Sequence, residues 1–285
     1  MMSNSSQPEP QPTVTIRTKA RFRVPVRHVV LAIFVGLVAL YLILPTLFIV
    51  PMSLNASPSL GTMTDGWTLA WYEQLFSNPV WADTALVSLQ VGLSATAIAT
   101  IAGTLLALAL SRVVPQFRMA LQGMSLAPMV VPPVILGIGL YILFLNLNLY
   151  GTMTGFVLGH AVLALPFVVV SVTASLAEFD PGQEKAALVL GANPRQTFFR
   201  VVFPQILPGV FSGALFGFVT SWDEVIVSTF LTAPGLRTLP VEMWTQSRTT
   251  LTPTLAALST LLMFVSTGAL ILVNLLQGRK KGKSE

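Results

Sequence analysis

Apolar stretches recur along most of the chain and are separated by short polar segments. Each stretch exceeds the about 20 residues that a helix needs to cross the hydrocarbon core of a bilayer. The stretches predict six spans, at roughly 28–51, 83–110, 121–146, 153–177, 205–231 and 254–277. Backbone groups cannot stay unpaired inside a membrane, so the pattern predicts an all-α polytopic membrane protein.

Prolines fall inside or beside several of these predicted spans. They are Pro45, Pro128, Pro132, Pro133, Pro166 and Pro208. Membrane helices tolerate proline where neighbouring groups satisfy the freed carbonyl. Such kinks suit a protein that encloses a pathway, and each one taken singly is equally consistent with ordinary packing.

The same pattern predicts four segments of different character. Residues 1–27 form a basic N-terminal tail whose first 20 residues are polar and predicted to be disordered, with no removable signal peptide. Residues 28–82 hold the first span and an outer loop. Residues 83–277 hold five spans and a polar segment at about 178–204, and residues 278–285 form a basic tail.

Charge predicts the orientation of these spans. Of the 16 Lys and Arg residues, all except Arg237 and Arg248 fall on one side of the six-span arrangement. Cytoplasmic segments carry the excess of Lys and Arg, so both termini and the polar central segment are predicted to be cytoplasmic. The outer loop at about 52–82 has no Lys or Arg, and its aromatic residues predict an interfacial belt: Trp67, Trp71, Tyr72 and Trp81.

Composition excludes several kinds of chemistry. The chain is 53% hydrophobic and 9% charged, with a mean hydropathy of +0.75. It has no cysteine, and its two histidines, His28 and His160, are far apart, so neither a disulfide nor a recognisable metal-ligand spacing is present. No nucleophile–base pair stands out. We predict no catalytic residue, no metal site, no cofactor and no nucleic-acid partner.

A run of basic residues near the C-terminus superficially suggests a phosphate-binding loop. The sequence GRKKGKS has two glycines and a Lys-Ser pair, but the spacing between Gly278 and Gly282 is one residue short of a Walker A loop. The run also follows a predicted membrane span rather than a strand. Contact with anionic lipid is the simpler interpretation.

The stretch SWDEVIVSTF places two acids inside an apolar run. Ionisable groups within a span are costly and are candidates for function by default. Helical spacing predicts one stripe that contains Gly217, Thr220, Ser221, Glu224 and Ser228. Asp223 lies about 100° away on its flank, and Trp222 beside both acids offers an aromatic face for a cation.

This stretch has two interpretations. It lines a polar pathway for a positively charged solute, or its acids lie at an interface or pair with another helix. The pathway residues would be Thr220, Ser221, Trp222, Asp223, Glu224 and Ser228. His160, a lone polar residue in another apolar run, is predicted to make an interhelical hydrogen bond rather than to relay protons.

The central segment EKAALVLGANPRQTFFRVVFPQILPG predicts a helix–turn–helix. A helical pattern over 184–190 ends at Gly191, and Pro194 suits the first turn of a second helix. Phe198, Phe199, Val201 and Val202 give this segment apolar surface, and Arg195 and Arg200 give it charge. The segment would either dock a soluble partner or lie on the membrane as an ordinary amphipathic loop.

The central segment resembles the cytoplasmic loop of ABC importer permeases, which carries EAA, three residues, Gly, nine residues and an I-x-L-P element. Here Lys185-Ala186-Ala187, Gly191 and the run ending at Pro204 match that spacing, but Lys185 replaces the leading acid, with Glu184 one place earlier. SWDEVIVSTFLTAPGLRTLPVEMW resembles the spermidine/putrescine class of these permeases. The similarity extends over about 80–277.

The resemblance implies a type I ABC importer permease with six spans in a bacterial inner membrane. The coupling helix would contact an ATPase through Glu184, Lys185, Ala186, Ala187, Gly191, Arg195 and Pro204. The implied partners are a second permease, two ATP-binding subunits, a periplasmic solute-binding protein and the lipid bilayer. The solute would be a polyamine or a related amine.

Other functions stay open at this point. The same importer class also carries amino-acid-like and organophosphonate solutes. An autonomous secondary carrier would show inverted internal repeats, and we find no matching halves. The chain has no nucleotide site of its own, so ATP hydrolysis is expected in a separate subunit and the chain is expected not to be an enzyme.

Overall fold

The computed structural model describes residues 26–58, 66–249 and 252–281. These residues form twelve α-helices and a short π-helical turn at Phe198–Val202. The helices are α1 (Val26–Leu54), α2 (Ala70–Ser77), α3 (Pro79–Arg112), α4 (Pro115–Val130), α5 (Pro133–Asn146), α6 (Met153–Glu178), α7 (Pro181–Val189), α8 (Pro194–Thr197), α9 (Phe203–Trp222), α10 (Ile226–Leu231), α11 (Leu239–Thr249) and α12 (Pro253–Lys281).

The chain divides into two compact units after Phe48. The described part of the first unit is the portion of α1 up to that residue, whose large apolar side chains are exposed. The second unit contains all later helices. The predicted segment limits at residues 27, 82 and 277 stay predictions, and most of the predicted N-terminal tail lies outside the described residues.

Local sequence explains where the long helices begin. Asn78 precedes α3, and its side chain accepts a hydrogen bond from the Val80 amide at 3.1 Å. Thr152 caps α6 in the same way, accepting from the Gly155 amide at 3.1 Å. Such caps satisfy amide groups that have no partner within the first turn.

The predicted third span is two helices. Helices α4 and α5 meet at a bend of 104°. Pro132 and Pro133 lie at the bend, where a proline disfavours helical geometry in the residue before it and cannot donate a backbone hydrogen bond. A continuous span over 121–146 is therefore the wrong prediction. Pro45, Pro166 and Pro208, by contrast, lie within continuous helices.

Four helical stretches of the described chain are long and apolar enough to cross a membrane, and the bent α4–α5 pair could provide a fifth span. The four stretches lie in α1, α3 and α6 and in Pro194–Trp222, where α8, the π-helical turn and α9 follow without a break. The predicted sixth span, 254–277, lies within α12. Apolar length and helix position thus agree with an all-α membrane protein.

Helices α3, α6 and α9 pack together at the centre of the second unit. Small residues permit this close approach, as in other membrane helix bundles. A Cβ atom at Gly103 would lie 2.8 Å from the Cβ of Val168, and one at Gly213 would lie 2.8 Å from its Cα. Val168 on α6 is thus enclosed by backbone from both neighbouring helices, which holds the three helices in one register.

The predicted aromatic belt is only partly exposed. Trp67 is 73% exposed, whereas Trp81 is 5% exposed and packs with Leu75, Leu239 and Leu255. Trp71 donates its indole N–H to the Asn55 carbonyl at 2.8 Å. Trp81 therefore belongs to a hydrophobic core that joins α2, α3, α11 and α12 rather than to a belt.

Candidate solute pathway and coupling surface

The chain leaves helical geometry at the two acids. Helix α9 ends at Trp222, and α10 begins only at Ile226. The predicted single stripe through Glu224 and Ser228 is therefore wrong, and so is a span that runs unbroken from 205 to 231. We call the three residues between the helices, 223–225, the break.

The side chain of Glu224 explains the new helix start. Its Oε1 accepts from the Val227 amide at 2.9 Å, and its Oε2 accepts from the Ser228 amide at 2.7 Å. A side chain that satisfies the first amides of a helix stabilises a helix start at that point and competes with continuation of the preceding helix. Glu224 is half-buried, and its side chain caps the start of α10.

Asp223 lies in a different environment from Glu224. It is exposed and lines a cavity of about 500 Å³, whereas Glu224 does not line it. Among the described residues that form this cavity, Asp223 is the only ionisable one. The predicted stripe, which placed Glu224 on the polar face and Asp223 on its flank, therefore indicated the wrong acid for this cavity.

The rest of the cavity lining is mostly apolar, with aliphatic side chains and the side chains of two tryptophans and two methionines. Trp222 lies on one side, and Met243, Trp244 and Ser247 come from α11. Arg248 already stacks on the Trp244 ring, with its guanidinium carbon 4.4 Å from the ring centroid. One face of this indole is thus already occupied by a cation of the chain itself.

The contribution of α11 is not apparent from the sequence pattern. The segment 239–249 is short and mixed in polarity, and it lies between two predicted spans. In the sequence of this segment, only the tryptophan and the methionine could indicate a cavity wall, and neither residue type is specific for one. Only the folded chain brings Met243 and Trp244 to the same cavity as Trp222 and Asp223.

His160 joins the two sides of the break. Its Nδ1 lies 2.7 Å from Ser221 Oγ on α9, and its Nε2 lies 2.8 Å from Ser228 Oγ on α10. All three side chains are buried. The predicted interhelical hydrogen bond of His160 is thus confirmed, and it is made to two helices at once.

The predicted pathway residues therefore separate into distinct groups. Trp222 and Asp223 line the cavity, while Ser221 and Ser228 bind His160. Thr220 is half-buried on α9 and does not line the cavity. Together with the capping role of Glu224, this arrangement leaves Asp223 as the acid of the pair that is available to a solute.

A second cavity, of about 580 Å³, lies beside α3 and α11 and contains an ion pair. Arg237 donates to Glu242 at 2.6 Å, and Gln246 donates to the other carboxylate oxygen at 2.9 Å. Burial raises the pKa of Glu242, but the hydrogen bonds from Arg237 and Gln246 outweigh it, so the pKa lies below its ordinary value. Glu242 is thus an internally paired anion that fixes the start of α11.

The central segment folds as the predicted helix–turn–helix. Helix α7 is capped by Asp180, and α8 begins with a capping box in which Asn193 and Gln196 each accept from the other's backbone amide. Gly191 between them has φ +90°, and a Cβ atom there would meet nothing within 4 Å. The turn therefore needs glycine for its backbone conformation rather than for space.

The acid that precedes the EAA-like triplet is bound within the chain. Glu184 on α7 accepts from Arg112 at the end of α3, at 2.9 Å. Lys185, which replaces the usual acid, is exposed, and so are Ala186, Arg195 and Pro204, while Ala187 is half-buried. Glu184 thus ties the central segment to α3, and Lys185 is free to meet another molecule.

Apolar exposure at the turn differs from the sequence expectation. Val189 and Leu190 are 87% and 88% exposed, next to Gly191. Of the predicted apolar surface, Val202 is buried at 2% and Phe199 remains 56% exposed. The tip of the turn, rather than the whole predicted apolar run, presents apolar side chains to the surroundings. We call Lys185, Leu188, Val189 and Leu190 the turn surface.

This fold is that of a type I ABC importer permease. A structure of a bacterial ABC transporter involved in the import of the acidic polysaccharide alginate aligns with a TM-score of 0.69 and 15% identity, over 89% of this chain and 96% of that one. An amino acid ABC transporter structure aligns with a TM-score of 0.54 and 19% identity, over 74% of this chain and 99% of that one.

Sequence relatives identify the family. Residues 99–282 match the family described as binding-protein-dependent transport system inner membrane component, and the chain belongs to it. A spermidine/putrescine transport system permease protein, PotC, of Haemophilus influenzae is 31% identical over 243 residues, 85% of this chain and 94% of that protein. The resemblance inferred from the central segment and from SWDEVIVSTF is thereby confirmed.

Two further relatives are named for different solutes. A putrescine transport system permease protein, PotI, of Escherichia coli K12 is 34% identical over 231 residues, 78% of this chain and 82% of that protein. A sulfoquinovosyl glycerol transport system permease protein, SmoH, of Agrobacterium fabrum is 31% identical over 203 residues, 69% of this chain and 71% of that protein.

This chain is a multi-pass inner-membrane protein and the translocation subunit of a multi-subunit importer.

Proposed function

We propose that the protein is a permease subunit of an ATP-driven, binding-protein-dependent importer for a polyamine such as putrescine or spermidine. The observation that carries the solute class is the cavity that contains Asp223, Trp222 and Trp244. A carboxylate attracts an ammonium group, and an indole face attracts a cation, most strongly where water is excluded. The cavity volume of about 500 Å³ falls in the range of small-molecule sites.

Similarity supports the same solute class. The relatives named for spermidine and putrescine align with 85% and 78% of this chain. A relative named for sulfoquinovosyl glycerol is similarly identical over a shorter length, so identity near 30% does not by itself select an amine. The chemistry of the cavity, with one acid and no basic residue among its described lining, favours the amine.

Coupling to ATP hydrolysis is proposed to occur through α7, the Gly191 turn and α8. The turn surface presents Lys185 and apolar side chains outward, while the Arg112–Glu184 pair ties α7 to α3. Two ATP-binding subunits would bind here, one on this chain and one on a second permease. A periplasmic binding protein would deliver the solute at the opposite face, and both termini would be cytoplasmic.

The transport cycle follows from this arrangement. Closure of the ATP-binding subunits around ATP moves the central segments of the two permeases and opens the cavity outward to the binding protein. Hydrolysis returns the permeases to the inward-open state and releases the solute into the cytoplasm. No bond of the solute changes, so the cavity needs only to stabilise a cation and to let it leave.

Substitution of Asp223 tests the solute site. Asp223→Asn should lower radiolabelled putrescine uptake in reconstituted vesicles about tenfold to a hundredfold, because loss of a charged partner costs about 1–3 kcal/mol. ATP hydrolysis and binding-protein docking should persist. Glu73→Gln, which makes the same change at an exposed position of α2 outside the cavity, should transport at the parental rate.

Two outcomes would contradict different parts of the proposal. If Asp223→Asn transports putrescine at the parental rate, the cavity is not the solute site. If the parent complex transports only neutral or anionic solutes, the amine assignment fails while the permease assignment stands.

A further inference from the structure

We infer that His160 is a positioning residue that fixes the break between α9 and α10 and thereby orients Trp222 and Asp223 in the cavity. The inference rests on the proposed solute site for its effect on transport. The arrangement that carries it is the pair of hydrogen bonds from one imidazole to serines on both sides of the break.

Hydrogen bonds hold the break itself, while α10 beyond it also packs through Val227 and Leu231 against apolar residues of α5 and α6. The break is three residues long and separates α9 from a helix of only 6 residues. Asp223 makes a backbone hydrogen bond back to Val219 at 3.0 Å, and Glu224 caps forward into α10. These contacts are local to one helix or the other, so none of them sets the angle between the two.

His160 supplies the link between the helices. Its Nδ1 binds Ser221, one residue before the end of α9, and its Nε2 binds Ser228 in α10. Its ring is fully buried and stacks on Phe156 from its own helix, with centroids 5.1 Å apart and planes 25° apart. Helix α6 therefore holds the imidazole, and the imidazole holds both sides of the break.

The hydrogen-bond directions form a single chain. Ser228 Oγ donates to the Glu224 carbonyl at 3.2 Å, so its lone pairs are left to accept from His160 Nε2–H. In the neutral imidazole Nδ1 then accepts from the Ser221 hydroxyl. The chain runs from Ser221 through His160 and Ser228 to the backbone of the break itself, and every link is buried or half-buried.

The consequence for the cavity is geometric. Trp222 and Asp223 are the residues immediately after Ser221, and both line the cavity. Each peptide unit is planar with only two soft torsions per residue, so fixing Ser221 and Ser228 restricts the directions available to the residues between them. His160 does not line the cavity, so it acts on the solute only through these residues.

The test is a double-mutant cycle with a distance readout. The chain has no cysteine, so Val219→Cys and Thr229→Cys place spin labels at exposed positions on either side of the break. In the assembled complex the parent should give one narrow distance distribution by double electron–electron resonance. His160→Phe, which keeps a stacked ring but removes both hydrogen bonds, should broaden that distribution about twofold, as should Ser221→Ala with Ser228→Ala.

Uptake should follow the distance readout. His160→Phe should slow putrescine uptake about tenfold, since small misplacements of binding groups have effects of this size or larger. Combining His160→Phe with the two serine substitutions should not slow uptake further, because all three substitutions remove the same pair of hydrogen bonds. Ser125→Ala removes a buried serine that binds only its own helix, and it should leave both readouts unchanged.

Two results would overturn the inference: a parental distance distribution in His160→Phe, or additive effects of the histidine and serine substitutions. If His160→Phe fails to assemble, the double serine variant, which only shortens two side chains, provides the same distance test. Failure of the solute site would show differently, as parental uptake in Asp223→Asn with the distance effect of His160 intact.

Discussion

At the scale of single residues, the two acids of SWDEVIVSTF have different roles although they are adjacent. Both carboxylate oxygens of Glu224 accept hydrogen bonds from backbone amides of α10, whereas Asp223 remains exposed at the cavity. A carboxylate that already accepts two hydrogen bonds within the protein has less capacity left for a solute. In the proposed function, Asp223, the one acid among the described residues of the cavity, would therefore provide the electrostatic attraction for an amine.

Gly191 is a residue whose backbone conformation matters more than its size. We expect Gly191→Val to leave membrane insertion intact and to strain the turn by about 1–3 kcal/mol, because a β-branched residue is disfavoured at positive φ. Association with the ATP-binding subunit, measured by co-purification in mild detergent, should weaken, and transport should be lost.

The matched control for this turn is Gly123→Val on α4. A Cβ atom at Gly123 also meets nothing within 4 Å, and its φ is not positive. Gly123→Val should keep both association and transport. Normal complex assembly and full transport in Gly191→Val would argue against a coupling role for the turn.

At the scale of elements, the break between α9 and α10 depends on the Glu224 cap. Glu224→Ala should remove about 1 kcal/mol of capping stabilisation, which corresponds to about fivefold faster amide exchange in α10. Hydrogen–deuterium exchange of the peptide that covers 226–231 measures this change.

Asp223→Asn supplies the control for the cap, since no side-chain hydrogen bond to α10 is lost there. Its exchange should match that of the parent, while its transport falls. Equal exchange in Glu224→Ala and the parent would show that the cap does not stabilise α10.

Sequence reasoning located the elements well where hydropathy is uniform. The helices α1, α3, α6 and α12 contain the apolar runs that predicted them, and the helix–turn–helix follows from Gly191 and Pro194. Its errors lie where local backbone chemistry overrides a continuous apolar run. The Glu224 cap at the break and the paired prolines at the α4–α5 bend are both such cases.

The cavity was predictable only in part, for a different reason. Trp222 and Asp223 are conspicuous within an apolar run, but Met243 and Trp244 reach them through tertiary packing of a short helix. The histidine link is similar, since the position of His160 in the chain indicates a hydrogen bond but not its two partners. Periodicity describes one helix at a time and does not identify which helices meet.

At the scale of the whole molecule, the charge asymmetry predicts the orientation of α3. Ser77 lies just before this helix and Ser111 near its end, and both are exposed. In cells that express the full complex, Ser77→Cys should react with a membrane-impermeant thiol reagent, and Ser111→Cys should react only after permeabilisation. The parent chain, which has no cysteine, is the blank.

The opposite labelling pattern would reverse the orientation of the molecule, and labelling of both positions from outside would show that α3 does not cross the membrane. Either result would place α7 and α8 away from the cytoplasm, because Glu184 on α7 pairs with Arg112 at the end of α3 and must lie on the same side. The proposed coupling surface would then have no access to an ATP-binding subunit.

The capping role of Glu224 has a consequence for redesigning solute preference. A library that randomises both acids would vary a position whose loss weakens the start of α10, so that changes in uptake would combine this local destabilisation with altered selectivity. Variation confined to Asp223, Met243, Trp244 and Ser247, with Glu224 and His160 held constant, would change the chemistry of the cavity wall while its scaffold stays in place.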